Sequence, residues 1–232
     1  MITELPTPEI KIKAQAKHHA YSLMLLGLLS LALIILLAQH YWLEAKLVLI
    51  FLVLVSLVVI FIGFIKRLEP ETSFLITPQW IRYLHKYGVW QIAWPDIARI
   101  AQVTETTFLE RIELPYVGIK LNSLNAIVTN ISPRLASRLI HEQRPLIHFC
   151  LQHRLLTMDQ VIINFTPFKL EGKTIKGPVA AFLHQTTILQ QALGYHLYIP
   201  ESAIDRPCQA FVSLLNNCQR NADKYTSPET EA

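Results

Sequence analysis

The sequence predicts an N-terminal transmembrane α-hairpin joined to an α+β domain. In that domain an antiparallel β sheet or partial barrel carries a helical insert and closes on a C-terminal amphipathic helix. Three observations predict it. Residues 18–43 and 47–65 contain no Asp, Glu, Lys or Arg, although 16% of the 232 residues are charged. From residue 72 the apolar residues alternate between turn residues, the pattern of strands with one solvated face. Beyond Ser132 they recur at helical spacing, in segments bounded by Pro and Gly.

Residues 1–19 form a cytoplasmic N-terminal segment carrying Lys11, Lys13 and Lys17. The first span is 20–38, with the uninterrupted apolar run SLMLLGLLSLALIILLA from Ser22 to Ala38. Residues 39–46 are a short external loop, in which Tyr41 and Trp42 suit the aromatic belt of a membrane interface. The second span, 47–65, reads LVLIFLVLVSLVVIFIGFI and is long enough to cross the hydrocarbon core as a helix. Lys66 and Arg67 follow it, whereas the loop offers only Lys46 beside Glu44. This bias places both termini and the soluble domain in the cytoplasm. A cleaved signal peptide is the rival reading of the first run. It lacks an evident small-x-small site and is followed at once by a second apolar run. Neither span carries an Asp, Glu, Lys, Arg or His, so the hairpin is expected to anchor rather than to transport. Gly27, Ser30, Ser56 and Gly63 provide small residues but no Gly-x-x-x-Gly spacing, which leaves helix-mediated homo-oligomerisation as an alternative.

A linker, 66–71, leads into the domain, assigned to 72–221. TSFLIT (72–77) is a strand with Phe74 and Ile76 on one face, and a turn at 77–79 precedes WIRYLHK (80–86). After the turn at Gly88, VWQIAW (89–94) sets Trp90, Ile92 and Trp94 on one side. Residues 94–103, 107–114 and 116–123 read as further strands, with helix an alternative for 96–103. Ser132 and Pro133 supply an N-cap and a first helical residue, and Pro145 kinks this segment or opens a second helix. Residues 161–170 return to strand character. Gly177-Pro178 opens a helix that Gly194 closes, and 195–200 is a short strand. Asp205 is expected to cap the last helix, whose stripe is Cys208, Phe211, Val212 and Leu215. Residues 222–232 read as a disordered tail.

The run FLITPQWIRY, the Gly-bearing hairpin and the step Ile92-Ala93-Trp94-Pro95-Asp96-Ile97 resemble bacterial pleckstrin-homology-like (PH-like) domains. Gln79 and Trp80 stand where that turn often has Gly. With ISPRLASRLIHEQRPLI (131–147) and LGYHLYIPESAIDRP (193–207), the whole chain resembles a family of uncharacterised two-span membrane proteins of Gram-negative bacteria, known as a domain of unknown function. The resemblance implies a PH-like fold and the bacterial inner membrane. It implies no activity, so no site residues carry over.

The chemistry is sparse. From Lys66 onward 17 Lys/Arg face 14 Asp/Glu without clustering, which argues against nucleic acid and suits a surface beside an anionic leaflet. Cys150, Cys208 and Cys218 form no Cys-x-x-Cys pair and point to packing in a reducing compartment. Gly-rich phosphate loops, Gly-x-Ser-x-Gly and His-Glu-x-x-His are all missing. His141, His148, Cys150 and His153 lie close in sequence, but residues two apart on a helix diverge, so no zinc site is expected. Asp96 reads as a turn residue, and Trp80, Trp90 and Trp94 as core.

The expectation is a membrane-anchored, non-enzymatic PH-like interaction module that needs no cofactor or metal. It would use the bilayer as one partner and take a protein or lipid headgroups as the other. Tyr41, Trp42, Lys66 and Arg67 are its membrane-interface residues, and its interaction surface is not located by the sequence. The alternatives are a tethered enzyme using His184, His196 or Asp205, and an oligomeric membrane scaffold.

Overall fold

The computed structural model describes residues 9–13, 20–67, 72–107 and 110–226. The chain divides into two compact units, one spanning Ala14–Glu71 and the other joining Met1–Lys13 to Thr72–Ala232.

The first unit is one long apolar helical segment, α1 (Ala20–Arg67), interrupted at Ala45, whose φ of −125° and ψ of 27° leave the helical region. Ser30 Oγ lies 3.0 Å from Ser56 Oγ, and the Ser56 hydroxyl donates to Leu52 O. In one straight helix two residues 26 apart would stand about 39 Å from each other, so the contact follows from the break. At Gly27 an added Cβ would lie 2.6 Å from Ile60 Cγ1 and 3.3 Å from Ser56 O. Glycine is therefore what permits this approach. Outside the contact, Leu25, Leu29, Leu36, Phe51 and Phe61 are exposed. By length and composition Tyr21–Ile65 is able to cross a membrane.

The second unit is built on two antiparallel sheets. One has the order β1 (Ile10–Ile12), β2 (Phe74–Ile76), β3 (Trp80–His85) and β4 (Gly88–Ala93). The domain therefore begins before α1 and not at residue 72. Ile12 pairs with Phe74, Ser73 N donates to Ile12 O at 2.8 Å, and the Ile12 side chain is fully buried. Period-two alternation puts Phe74, Ile76, Ile81, Tyr83, Trp90 and Ile92 into the core, as the sequence predicts. Trp94 is also buried, its indole N–H donating to Thr77 O at 2.9 Å, whereas Trp80 is half-buried with the Arg82 guanidinium over its ring.

A single 3-10 turn at Trp94–Asp96 leads into the second sheet, which has the order β5 (Ile97–Thr107), β6 (Glu110–Leu121), β9 (Leu197–Pro200). Strand, not helix, is thus the outcome for 97–103, and the expected strands 107–114 and 116–123 are one. The proline between them does not end the strand, because Gln102 pairs with Val117 and Thr104 with Glu113. Leu114, Pro115 and Tyr116 together face Val103 in a bulge that needs no amide hydrogen from Pro115. At Gly118 a Cβ would fall 2.4 Å from Tyr195 Cγ, so the ring lies directly on the strand backbone.

After the one-turn α2 (Asn125–Val128) come α3 (Pro133–Glu142) and α4 (Arg144–Gln152). Ser132 caps α3 by accepting from Leu135 N at 3.2 Å. The hairpin of β7 (Phe168–Leu170) and β8 (Lys173–Ile175) precedes α5 (Pro178–Leu193), which Gly194 ends in the left-handed conformation. Residues 161–167 are not strand, contrary to the sequence reading, which is met only at 168–170. Gln185 of α5 donates through Nε2 to Gln143 Oε1 at 2.8 Å and to Ile140 O at 3.3 Å, a buried link where α3 meets α5.

The closing helix α6 (Cys208–Thr226) buries Cys208, Phe211 and Leu215, with Phe211 and Phe74 ring centroids 5.5 Å apart. Its Asn216 and Gln219 donate to Ile100 O and Ile97 O, so side-chain amides serve carbonyls of β5. Asp205 does not cap this helix. Its carboxylate pairs with Arg206, and Phe211 N bonds to Pro207 O instead. The helix also runs four residues past 222; residues 227–232 of the expected tail lie outside the described residues.

Candidate interaction surface

A broad concave surface lies beside α5. One face of this helix buries Ala181, Phe182, Leu183, Gln185 and Leu189, which leaves His184, Thr187, Ile188 and Gln191 turned toward the segment 157–168. That segment leaves α4 through Arg154, which takes a positive φ of 56°. It is shaped by its own side chains, Thr157 N donating to Gln160 Oε1 and Thr166 N to Asn164 Oδ1, each at 2.9 Å. His184 fastens its far end. Its Nε2 lies 3.1 Å from Thr166 O and its ring meets the Phe168 ring edge-on at 5.0 Å.

Between this segment and α5 lies a groove of about 540 Å³ walled by Ile162, Ile163, Phe165 and Phe168, with Asp159, Gln160 and Asn164 supplying polar groups. Met158, Ile162 and Phe165 are 72%, 69% and 62% exposed. Three large apolar side chains at that exposure within eight residues exceed the scattered surface leucines of an ordinary domain. This is the feature that sequence reasoning missed. The signal, VIINF at 161–165, is present but reads as part of a strand.

The residues singled out by sequence are dispersed. Tyr41 and Trp42 are about half exposed and precede the break at Ala45, with Lys46 Nζ 5.9 Å from the Trp42 ring centroid. Lys66 and Arg67 end α1, and their side chains lie outside the described residues. His184, His196 and Asp205 each serve a different partner: His184 holds Thr166, His196 Nδ1 accepts from Leu121 N at 3.0 Å, and Asp205 pairs with Arg206. His148 is exposed while Cys150 is fully buried, as helical geometry requires, and His153 stacks on Phe149. Burial pushes the Cys150 thiol up to about 11, which suits a packed thiol and not a nucleophile. Among the described residues no group of three or more His, Cys, Asp or Glu is placed to hold a metal ion.

Among the described residues an ionic cluster forms around Glu142. Glu142 Oε1 lies 2.8 Å from Arg138 Nε and 3.5 Å from His85 Nε2. Burial raises the Glu142 pKa, but hydrogen bonds and charge from His85 and Arg138 outweigh it and hold the carboxyl below its ordinary value. A carboxylate stabilised in this way is a weak proton acceptor, so the arrangement fits a brace between β3 and α3 better than a general base.

Among known proteins, no curated protein and no solved structure matches the chain. One family model does, over residues 74–221, from the first residue of β2 into α6. Well over half of the sequence is covered, and the chain belongs to this family, described as Protein of unknown function (DUF2982).

Proposed function

We propose that this protein is a membrane-anchored interaction module without catalytic activity, whose groove between α5 and residues 158–165 receives an apolar segment of a protein partner. The carrying observation is the exposure of Ile162 and Phe165 on that groove, with exposed Met158 next in sequence to its lining residue Asp159. An apolar wall with a few amide and carboxylate groups fits a peptide, whose side chains need the former and whose backbone needs the latter. Lipid headgroups suit the groove less well, because its charged group is the acidic Asp159.

The anchor is a two-span hairpin in this reading. Residues 14–71 leave the sheet at Lys13 and re-enter at Thr72, and Ile12 and Phe74 on either side of that excursion are paired neighbours. A segment that departs and returns at one point crosses a bilayer an even number of times. The break at Ala45 and the Ser30–Ser56 contact support two crossings. The Lys and Arg bias then assigns the domain and both termini to the cytoplasmic side of a bacterial inner membrane. The meander β2–β4, the Trp94–Asp96 step and the closing α6 support a PH-like description of the domain.

The test is a photo-crosslinking amino acid at Phe165 in the full-length, membrane-embedded protein. A discrete protein adduct that disappears when Ile162→Asp is added is the expected result. Adducts with lipid alone, or a protein adduct indifferent to Ile162→Asp, would contradict the assignment.

A further inference from the structure

The register of the first sheet fixes which end of the domain receives the two connections to α1. Ile12 and Phe74 are partners, Phe74 pairs with Tyr83 on its other side, and Leu84 N donates to Ser73 O at 2.8 Å. One step further along β3 and β4, His85 pairs with Gly88. The turn Lys86-Tyr87 therefore lies at the same end of the sheet as Lys13 and Thr72, where the chain departs and returns.

That end has a particular chemistry. Tyr87 is 42% exposed, with Lys86 Nζ 5.4 Å and the Arg138 guanidinium 5.5 Å from its ring centroid. The N-terminus of α3 is fastened to this turn, Ser132 Oγ donating to Tyr87 O at 3.3 Å, which brings the exposed Arg134 to the same end. Lys13, the last described residue before α1, is also exposed. Gly88 cannot be replaced without cost here, because at φ +144° its Cβ would meet Ser132 Oγ at 2.1 Å. Glu142 offsets part of the positive charge through Arg138 and His85. Lys13, Lys86 and Arg134 add to it.

An amphipathic ring flanked by cations is the composition that settles at a headgroup layer. Only four residues, 68–71, separate the end of α1 from Thr72, a reach of at most about 18 Å from Arg67 to Thr72. A patch held that close to a surface needs little intrinsic affinity, since tethering makes the encounter intramolecular.

We propose that Lys13, Lys86, Tyr87, Arg134 and Arg138 form a contact surface for the anionic phosphates of the leaflet from which the anchor emerges. This orients the domain on the membrane, where the anchor alone only confines it. It rests on the reading of α1 as a membrane anchor and is independent of what occupies the groove.

Hydrogen exchange of the full-length protein in lipid nanodiscs tests it, with discs of phosphatidylcholine alone compared with discs containing phosphatidylglycerol. Amides of residues 84–90 are expected to exchange more slowly in the anionic discs, by roughly fivefold for each basic side chain engaged. Lys86→Glu together with Tyr87→Ser, both on an exposed turn, should abolish the difference. Equal exchange of 84–90 in the two discs, or a difference that survives the double variant, would overturn the proposal. Amides of residues 47–62 report separately on the anchor. If they exchange freely in both discs, α1 is not embedded, and the anchor reading falls together with this one.

Discussion

His196 shows how a residue picked out for chemistry is used for structure. Its Nδ1 accepts the Leu121 amide hydrogen, which requires an unprotonated nitrogen. Burial, and secondarily the nearby Lys120 charge, lower its pKa from the ordinary 6.5. The sign follows from linkage. A depressed folded-state value means that the neutral ring stabilises the fold fully above pH 6.5, and that this contribution is lost as pH falls through the folded value. Urea unfolding of the detergent-solubilised chain, followed by tryptophan fluorescence, should lose about 1 kcal/mol between pH 7.5 and pH 5, the net worth of one such hydrogen bond. His196→Asn, whose Oδ1 can accept in place of Nδ1, should be nearly flat over that window. Glu142, held below its ordinary 4.5, contributes its own acid dependence only lower down. A wild-type profile as flat as the variant's would exclude the role given to His196.

At the scale of elements, legibility followed punctuation. Ser132-Pro133, Gly177-Pro178 and Gly194 mark helix ends where the backbone itself demands those residues, and the structure places the ends there. Alternation identified Trp90, Ile92 and Trp94 as one buried face because a period of two admits no other reading. What failed was whatever depends on partners distant in sequence. Three residues, Ile10–Ile12, are too few to show a period, and their partner strand lies 62 residues later. Pro115 looked like a stop because its bulge is defined by Val103 across the sheet. The apolar run 161–165 looked like strand because nothing in its composition shows that no partner strand lies beside it. Asp205 was read as a cap by type, but Arg206 beside it claims the carboxylate. The strand β1 gives a direct test. Ile12→Ala removes a fully buried side chain and should cost about 2–4 kcal/mol in the same unfolding assay. Lys11→Ala on the exposed face should cost under about 0.5 kcal/mol. Equal effects of the two would mean that β1 is not part of the core.

At the scale of the whole molecule, the candidate surface was not legible at all, while the long apolar helical segment Ala20–Arg67 was. Runs of this length without a charged residue suit helix, and the structure makes them helical on either side of Ala45. A binding groove has no such signature: it arises where α5 spares one face and residues 157–168 stand off from it. The strand β1 ties the chain ahead of α1 to the chain behind it, since it pairs with β2 in one sheet.

The central claim is that residues 14–71 cross the membrane twice, with β1 and the domain together on the cytoplasmic side. Single cysteines at Lys11, Glu44 and Met158, treated with a membrane-impermeant maleimide in intact spheroplasts, test it most directly. Met158 is 72% exposed and Lys11 is exposed; native Cys150 and Cys208 are buried, and the half-buried Cys218 is replaced by Ser in every variant. Glu44→Cys should be labelled in intact spheroplasts, and Lys11→Cys and Met158→Cys only after lysis. Labelling of Met158→Cys from outside, or of Lys11→Cys and Met158→Cys from opposite sides, would contradict it.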